Sequence, residues 1–117
     1  MNEYLYRIQP VRTAMLADGP TPEEEAAVHG HFEYLSRLTA EGVVTLAGRT
    51  LNTDETSFGI VIFLAEDDAA ARSIMTSDPA VAAGVFRAEL FPYRVALRSV
   101  AEAPPAGRSG GGPGESA

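Results

Sequence analysis

The sequence has no cysteine among its 117 residues, and its nine Lys+Arg positions are all arginine. Without cysteine there can be no disulfide, no thiolate nucleophile and no Cys-ligated zinc or iron–sulfur site. A chain without disulfides fits a reducing cytosol. Positive charge is also scarce: the formal net charge is −7. Binding to phosphate backbones or anionic lipid needs clustered positive charge, so neither nucleic acid nor a membrane is an expected partner. No apolar run approaches the roughly 20 residues that span a bilayer. The opening Met1-Asn2-Glu3-Tyr4 is acidic and passes straight into a strand pattern, unlike a signal peptide. The expected location is the cytoplasm.

What is present suffices for one domain. A chain of 117 residues with 45% hydrophobic composition can fill a single core without help from disulfides or metal. Tyr4, Tyr6 and Ile8 alternate with Leu5, Arg7 and Gln9, the period of a strand. Residues 10 to 22 hold Gly19 and three prolines, Pro10, Pro20 and Pro22, and read as a long loop. Thr21 can cap a helix, Pro22 suits its first position and Glu24 can close a capping box. Val28, Phe32, Leu35 and Thr39 recur at helical spacing with Leu38 beside them, and Gly42 marks the stop.

Val43 to Ala47 reads as a second strand ending near Gly48-Arg49. Asn52-Thr53-Asp54-Glu55 reads as a turn. Phe58 to Ala65 reads as a third strand that is apolar on both faces. A second helix starts at Glu66 or Asp67, with Ala71, Ile74 and Met75 inward. Asp78-Pro79 opens a fresh helical turn to about Ala83. The last strand is expected over Phe86 to Leu97, at an edge or bulged, because Pro92 cannot donate a ladder bond. From about Ala101 the Gly/Pro-rich composition predicts a disordered tail, which divides the chain into a domain of residues 1–100 and a tail of 101–117.

The resulting order is β-α-β-β-α-β, the ferredoxin-like split pattern: an α+β fold with a four-stranded antiparallel sheet and two helices on one face. The doubly apolar third strand leaves the other face in need of cover. A second copy of the same sheet is the simplest cover, so a homodimer is expected. The plainer alternative is that the Pro10–Thr21 loop or the tail folds over it, the tail being too polar for that role.

Two histidines are candidates for chemistry. His31 lies three residues after Val28 and four before Leu35, on the flank of the apolar face. His29 points away, toward Glu33 and Arg37. Residues at i and i+2 of a helix cannot clamp one metal, so no metal site is expected. An inward histidine beside a carboxylate makes an acid/base pair, and Asp78, Asp54 and Glu24 are the candidate carboxylates. The plainer readings stand beside these: His31 as a core-flank histidine bonded to backbone, and Asp78 as a helix cap. Arg49, at a strand end, could clamp a carboxylate or simply pair with Glu55 or Asp54. Ser57 and Ser77 lack a nucleophile elbow, and no phosphate loop or dinucleotide fingerprint is present.

His31-Phe32-Glu33-Tyr34-Leu35, Gly42-Val43-Val44, Leu46-Ala47-Gly48-Arg49, Ser77-Asp78-Pro79-Ala80-Val81-Ala82-Ala83-Gly84-Val85 and Glu89-Leu90-Phe91-Pro92-Tyr93-Arg94-Val95 together resemble the YCII-related family over residues 3 to about 98. The resemblance implies a dimeric α+β barrel, similar in shape to the muconolactone isomerase and small-monooxygenase barrels. It implies an active site that pairs a helix histidine with the aspartate of an Asp-Pro motif, positions held here by His31 and Asp78. Many members carry Gly-Pro after the second strand, where this chain has Gly48-Arg49; Arg49 is the candidate for substrate anion recognition. The functional expectation is a small enzyme without cofactor that uses His31 and Asp78 for acid/base chemistry, such as isomerisation, elimination or a lactone reaction, on a small anionic metabolite. The alternatives are a non-catalytic ligand-binding or accessory module, and a dimerisation domain whose pair only stabilises the fold.

Overall fold

The computed structural model describes residues 1–100; the expected tail lies outside the described residues. The strands are β1 (Asn2–Pro10), β2 (Val44–Arg49), β3 (Gly59–Ala65) and β4 (Phe86–Pro92), and the helices are α1 (Ala14–Asp18), α2 (Pro22–Ala40), α3 (Asp68–Thr76) and α4 (Pro79–Ala82). The sheet is antiparallel with the order β2-β3-β1-β4, the ferredoxin-like arrangement. β1 and β3 are central; β2 and β4 are edges.

Alternation decides which side chains go in. Tyr4, Tyr6 and Ile8 of β1 and Val61, Phe63 and Ala65 of β3 form one buried face, and Leu35 and Leu38 of α2 and Ala71 and Met75 of α3 pack onto it. The helix ends are set as their sequences dictate. Thr21 accepts from the Glu24 amide while the Glu24 side chain accepts from the Thr21 amide, a complete capping box ahead of Pro22. Gly42 takes the positive φ of +81° just past the end of α2. Asp67 caps α3 through the Ala70 amide.

Three expectations need correction. The segment between β1 and α2 is not all loop. It contains α1 with Met15 buried, and it is tied to α2 by Arg12, whose guanidinium donates to both Glu24 carboxylate oxygens. β4 ends at Pro92, not Leu97. After Pro92, which has no amide proton, the Tyr93 amide reaches β1 at the Glu3 carbonyl and the Val95 amide meets the Glu3 side chain, outside the strand ladder. Finally, Phe32 is 59% exposed. The inward stripe of α2 passes through Val28, His31, Tyr34, Leu35 and Leu38, all buried or half-buried. At about 100° per residue that stripe is centred near His31, so His31 is in its middle and Phe32 is off its edge.

The opposite sheet face carries a continuous apolar row. Leu46 pairs with Ile62, Ile62 with Leu5 and Leu5 with Phe91, one residue from each strand. The ends of this row are open, with Leu46 53% and Phe91 43% exposed. Among the described residues no helix is long and apolar enough to cross a membrane.

Candidate active site

The site is built where α4 meets α2. Gly30 has no side chain, and a Cβ placed there would come 3.1 Å from the Pro79 Cβ. This glycine therefore lets the first residue of α4 press directly against α2. The residue after Gly30 is His31 and the residue before Pro79 is Asp78, so the same close approach brings that pair together. The His31 Nδ1 lies 2.7 Å from the Asp78 Oδ2, within the 2.6–3.2 Å expected of a hydrogen-bonded pair.

Asp78 is fully buried at 0% exposure, and all its bonds can be traced. As the N-cap of α4 it accepts the Ala80 amide on Oδ1 at 3.0 Å. Its Oδ2 accepts the Tyr6 hydroxyl at 2.7 Å as well as the His31 contact. An ionised carboxylate only accepts, so His31 carries its proton on Nδ1 and donates it. The His31 ring also meets the Phe86 ring edge-on, with centroids 5.2 Å apart. No buried side-chain nitrogen or oxygen among the described residues lacks a partner.

The electrostatics follow from those bonds. Burial acts to raise the Asp78 carboxyl. The hydrogen bond and charge of His31, the Tyr6 hydroxyl and the Ala80 amide outweigh it and hold the carboxyl below its ordinary pKa. Burial, then the Asp78 charge and the hydrogen bond to it, push the Tyr6 hydroxyl far above its ordinary value. Tyr6 is thus a fixed donor. Burial and the Asp78 charge also raise Tyr34, whose hydroxyl donates to the Ile74 carbonyl at 2.8 Å. The His31 side chain keeps 14% exposure, so the pair reaches solvent through the imidazole while its carboxylate stays dry. Such a unit can accept a proton at Nε2 and stabilise the resulting imidazolium.

The other candidates lie elsewhere. Glu24 is engaged by Arg12 and by its own capping box, which hold its pKa down to about 2. Asp54 is bound within its turn by Asn52 and Thr56. His29 faces Glu33 at 3.3 Å on the exposed side of α2. Arg49 forms no ion pair with Glu55, Asp54 or any other described residue. It lines a cleft of about 250 Å³ with Gly48, Thr50, Phe58 and Ile60, and a second hollow of about 500 Å³ lies between Met1–Tyr4 and Pro92–Arg94. Neither includes His31 or Asp78. Among the described residues no three His, Asp or Glu side chains converge as a metal site. Two members of the His31 environment, Tyr6 and Phe86, were not singled out from sequence. For Tyr6 a signal existed: its place on the inward face of β1 buries a hydroxyl that must find a partner.

The model of the YCII-related domain matches residues 4–94. Among solved structures, the chain is similar to the 5-chloro-2-hydroxyhydroquinone dehydrochlorinase of Burkholderia phenoliruptrix in complex with 2,5-dihydroxybenzoquinone. The TM-score is 0.56 at 21% identity, over 78% of this chain and 93% of that one. At that identity the likeness supports the fold. No curated protein matches the chain in sequence.

Proposed function

The chain belongs to the YCII-related domain family, and from that footing we propose that it is a small enzyme that performs proton-transfer chemistry without a cofactor, with His31 as general base and then acid and Asp78 as its orienting partner. The observation that carries this reading is the bond between a partly exposed imidazole and a fully buried carboxylate. Asp78 fixes the proton on Nδ1, which leaves the lone pair of Nε2 for the substrate. As Nε2 takes a proton, the ring becomes cationic beside the carboxylate, which stabilises it. The electron pair left on the substrate either expels a leaving group or moves along a conjugated system. In elimination the imidazolium then yields its proton to water; in isomerisation it returns the proton to another atom of the same molecule.

The substrate class proposed is a small acidic ring compound of the hydroxyquinone or phenolate kind. Support comes from the structurally similar dehydrochlorinase, whose name describes an elimination and whose complex contains a dihydroxyquinone. Arg49 is proposed to bind an anion in the separate cleft walled by Phe58 and Ile60, which contains neither His31 nor Asp78. The direct test is loss of chloride from 5-chloro-2-hydroxyhydroquinone, with binding of 2,5-dihydroxybenzoquinone followed by thermal shift. His31→Ala is expected to lower turnover about 10²–10⁴-fold while the fold persists, because one edge of the ring is already solvated. Full turnover in His31→Ala would end the acid/base reading.

A second reading has its own observation. Asp78 ties α4, β1 and α2 together through Ala80, Tyr6 and His31, which would serve a binding or accessory module equally well. Binding of 2,5-dihydroxybenzoquinone without chloride release would favour it.

The homodimer is likewise proposed, through the helix-free sheet face. The row Leu46, Ile62, Leu5 and Phe91 supplies the apolar strip such an interface needs. Light scattering at micromolar concentration is expected to give twice the chain mass. Leu46→Glu, at a position exposed in the single chain, is expected to yield folded monomer. A wild-type monomer would remove the proposal.

A further inference from the structure

We propose that Tyr6 is a positioning residue of this site: its hydroxyl holds the Asp78 carboxylate in the orientation that keeps His31 in the Nδ1–H form and presents Nε2 to the ligand. This deepens the acid/base reading of the His31–Asp78 pair and rests on it.

A carboxylate is rigid only when both of its oxygens are held. The Ala80 amide fixes only Oδ1 of Asp78. With that bond alone, the carboxylate could still tilt about the bond to its Cβ, and Oδ2 would swing relative to the imidazole. The Tyr6 hydroxyl, 2.7 Å from Oδ2, closes that freedom. Tyr6 can act as an anchor because it cannot move itself. It has 0% exposure and sits on the central strand β1, paired to Val61 on one side and Leu90 on the other. Its ring packs edge-on against Phe63 at 5.6 Å. The orientation of His31 is thus referred to the sheet through two consecutive 2.7 Å contacts, from β1 to the start of α4 to α2.

The tautomer is where this matters. Free neutral imidazole favours the proton on Nε2, so the Nδ1–H form has to be imposed by an acceptor held in place. Among the described residues the ring has two specific contacts, with Asp78 and Phe86. The start of α4 offers Asp78 to the ring and β4 contributes the uncharged Phe86, while Tyr6 of β1 and Tyr34 of α2 act on Asp78, Tyr6 by its hydrogen bond and Tyr34 through the carboxylate's charge. Among the described residues, Tyr6 is the one donor besides His31 itself that touches Oδ2. An enzyme without this hydroxyl would keep its pair but lose the fixed geometry, a loss that falls on the orientation of His31 as well as on stability.

The test is imidazole ¹⁵N NMR on the full chain, with ¹³C detection of the Asp78 carboxyl, in wild type and Tyr6→Phe. In wild type the neutral His31 ring is expected to be a single Nδ1–H form. In Tyr6→Phe it is expected to become a mixture of both forms, and the Asp78 carboxyl is expected to titrate at higher pH, since it loses a donor that stabilises its charge. His29 serves as the internal control and should not change. On a turned-over substrate, kcat should fall on the order of tenfold with KM little altered, about the worth of one such hydrogen bond. Unchanged His31 and Asp78 signals in Tyr6→Phe would overturn the proposal. So would an Nε2–H ring in wild type, a result that needs no variant to fold. Failure of the underlying reading looks different: the tautomer would respond to Tyr6→Phe as expected, yet His31→Ala would retain turnover.

Discussion

Asp78→Ala is expected to destabilise the protein by about 3–5 kcal/mol, the range for removing one partner of a buried pair. Three losses combine at this residue. The Ala80 amide loses its cap, worth about 0.5–2 kcal/mol. The Tyr6 hydroxyl, at 0% exposure, is left without an acceptor at a cost of about 1–3 kcal/mol. The His31 ring loses the bond that seats it. These are not independent, because all three donors converge on one carboxylate, so their sum is an upper bound. For a domain of this size the melting temperature should fall by roughly 10–20 °C or more. The pH dependence has a definite sign. The folded carboxyl has a depressed pKa, so its contribution is complete above the unfolded-state value of about 3.9. It is lost as pH falls through the still lower folded value. Thermal melts of wild type and Asp78→Ala should therefore differ most near neutral pH and draw together in strong acid. A gap that stayed constant down to strong acid would show that Asp78 stabilises the fold without its charge.

Much of the fold was legible because the local signals agreed with one another. The alternation Tyr4, Tyr6, Ile8, the Thr21–Glu24 capping box and the Asp78-Pro79 cap each describe a contact within a few residues, and all three are present. The misreadings came where local and tertiary signals part. Phe32 fits a helical period when counted with Val28 and Thr39, but a period does not fix which phase of the helix the sheet will accept. The buried stripe follows Tyr34 and Leu38 instead, and this shift moves His31 from the flank to the centre. The hydrophobic run after Pro92 has strand composition, yet β1 has few residues left for it to pair with once Tyr4 meets Pro92. Met15 gave no sign that the segment before α2 would be helical.

The candidate site divides in the same way. His31 and Asp78 could each be named from the helical spacing, the Asp-Pro cap and the family resemblance. Their separation of 47 residues along the chain means that their meeting depends on a tertiary contact, and the small residue that permits it is Gly30 against Pro79. Arg49 is legible only in part. It was placed correctly at the end of a strand, yet its cleft is on β2 and β3 and contains neither member of the pair.

The second large effect is expected from Asp78→Asn, and it falls on chemistry more than on folding. The Ala80 amide still needs an acceptor, so the Asn side-chain oxygen should take the place of Oδ1. The amide nitrogen then occupies the place of Oδ2, 2.7 Å from both the Tyr6 hydroxyl and His31 Nδ1. An NH₂ group can only donate. Tyr6 can answer by turning its hydroxyl and accepting. His31 can answer only by giving up its Nδ1 proton, which forces the neutral ring into the Nε2–H form. Nε2, the nitrogen proposed to meet the substrate, would then already carry a proton and could not act as base. Flipping the amide would restore the tautomer, but it would set an NH₂ against the Ala80 amide and lose the cap. Turnover is accordingly expected to fall about 10²–10⁴-fold, with a smaller loss of stability than in Asp78→Ala because the cap and a contact to the Tyr6 oxygen survive, although the buried Tyr6 proton loses its acceptor. ¹⁵N NMR reads the tautomer and chloride release reads the rate, each in the same preparation. If Asp78→Asn turns the ring to Nε2–H and the rate stays at the wild-type level, His31 is not the base, and the binding-module reading takes its place.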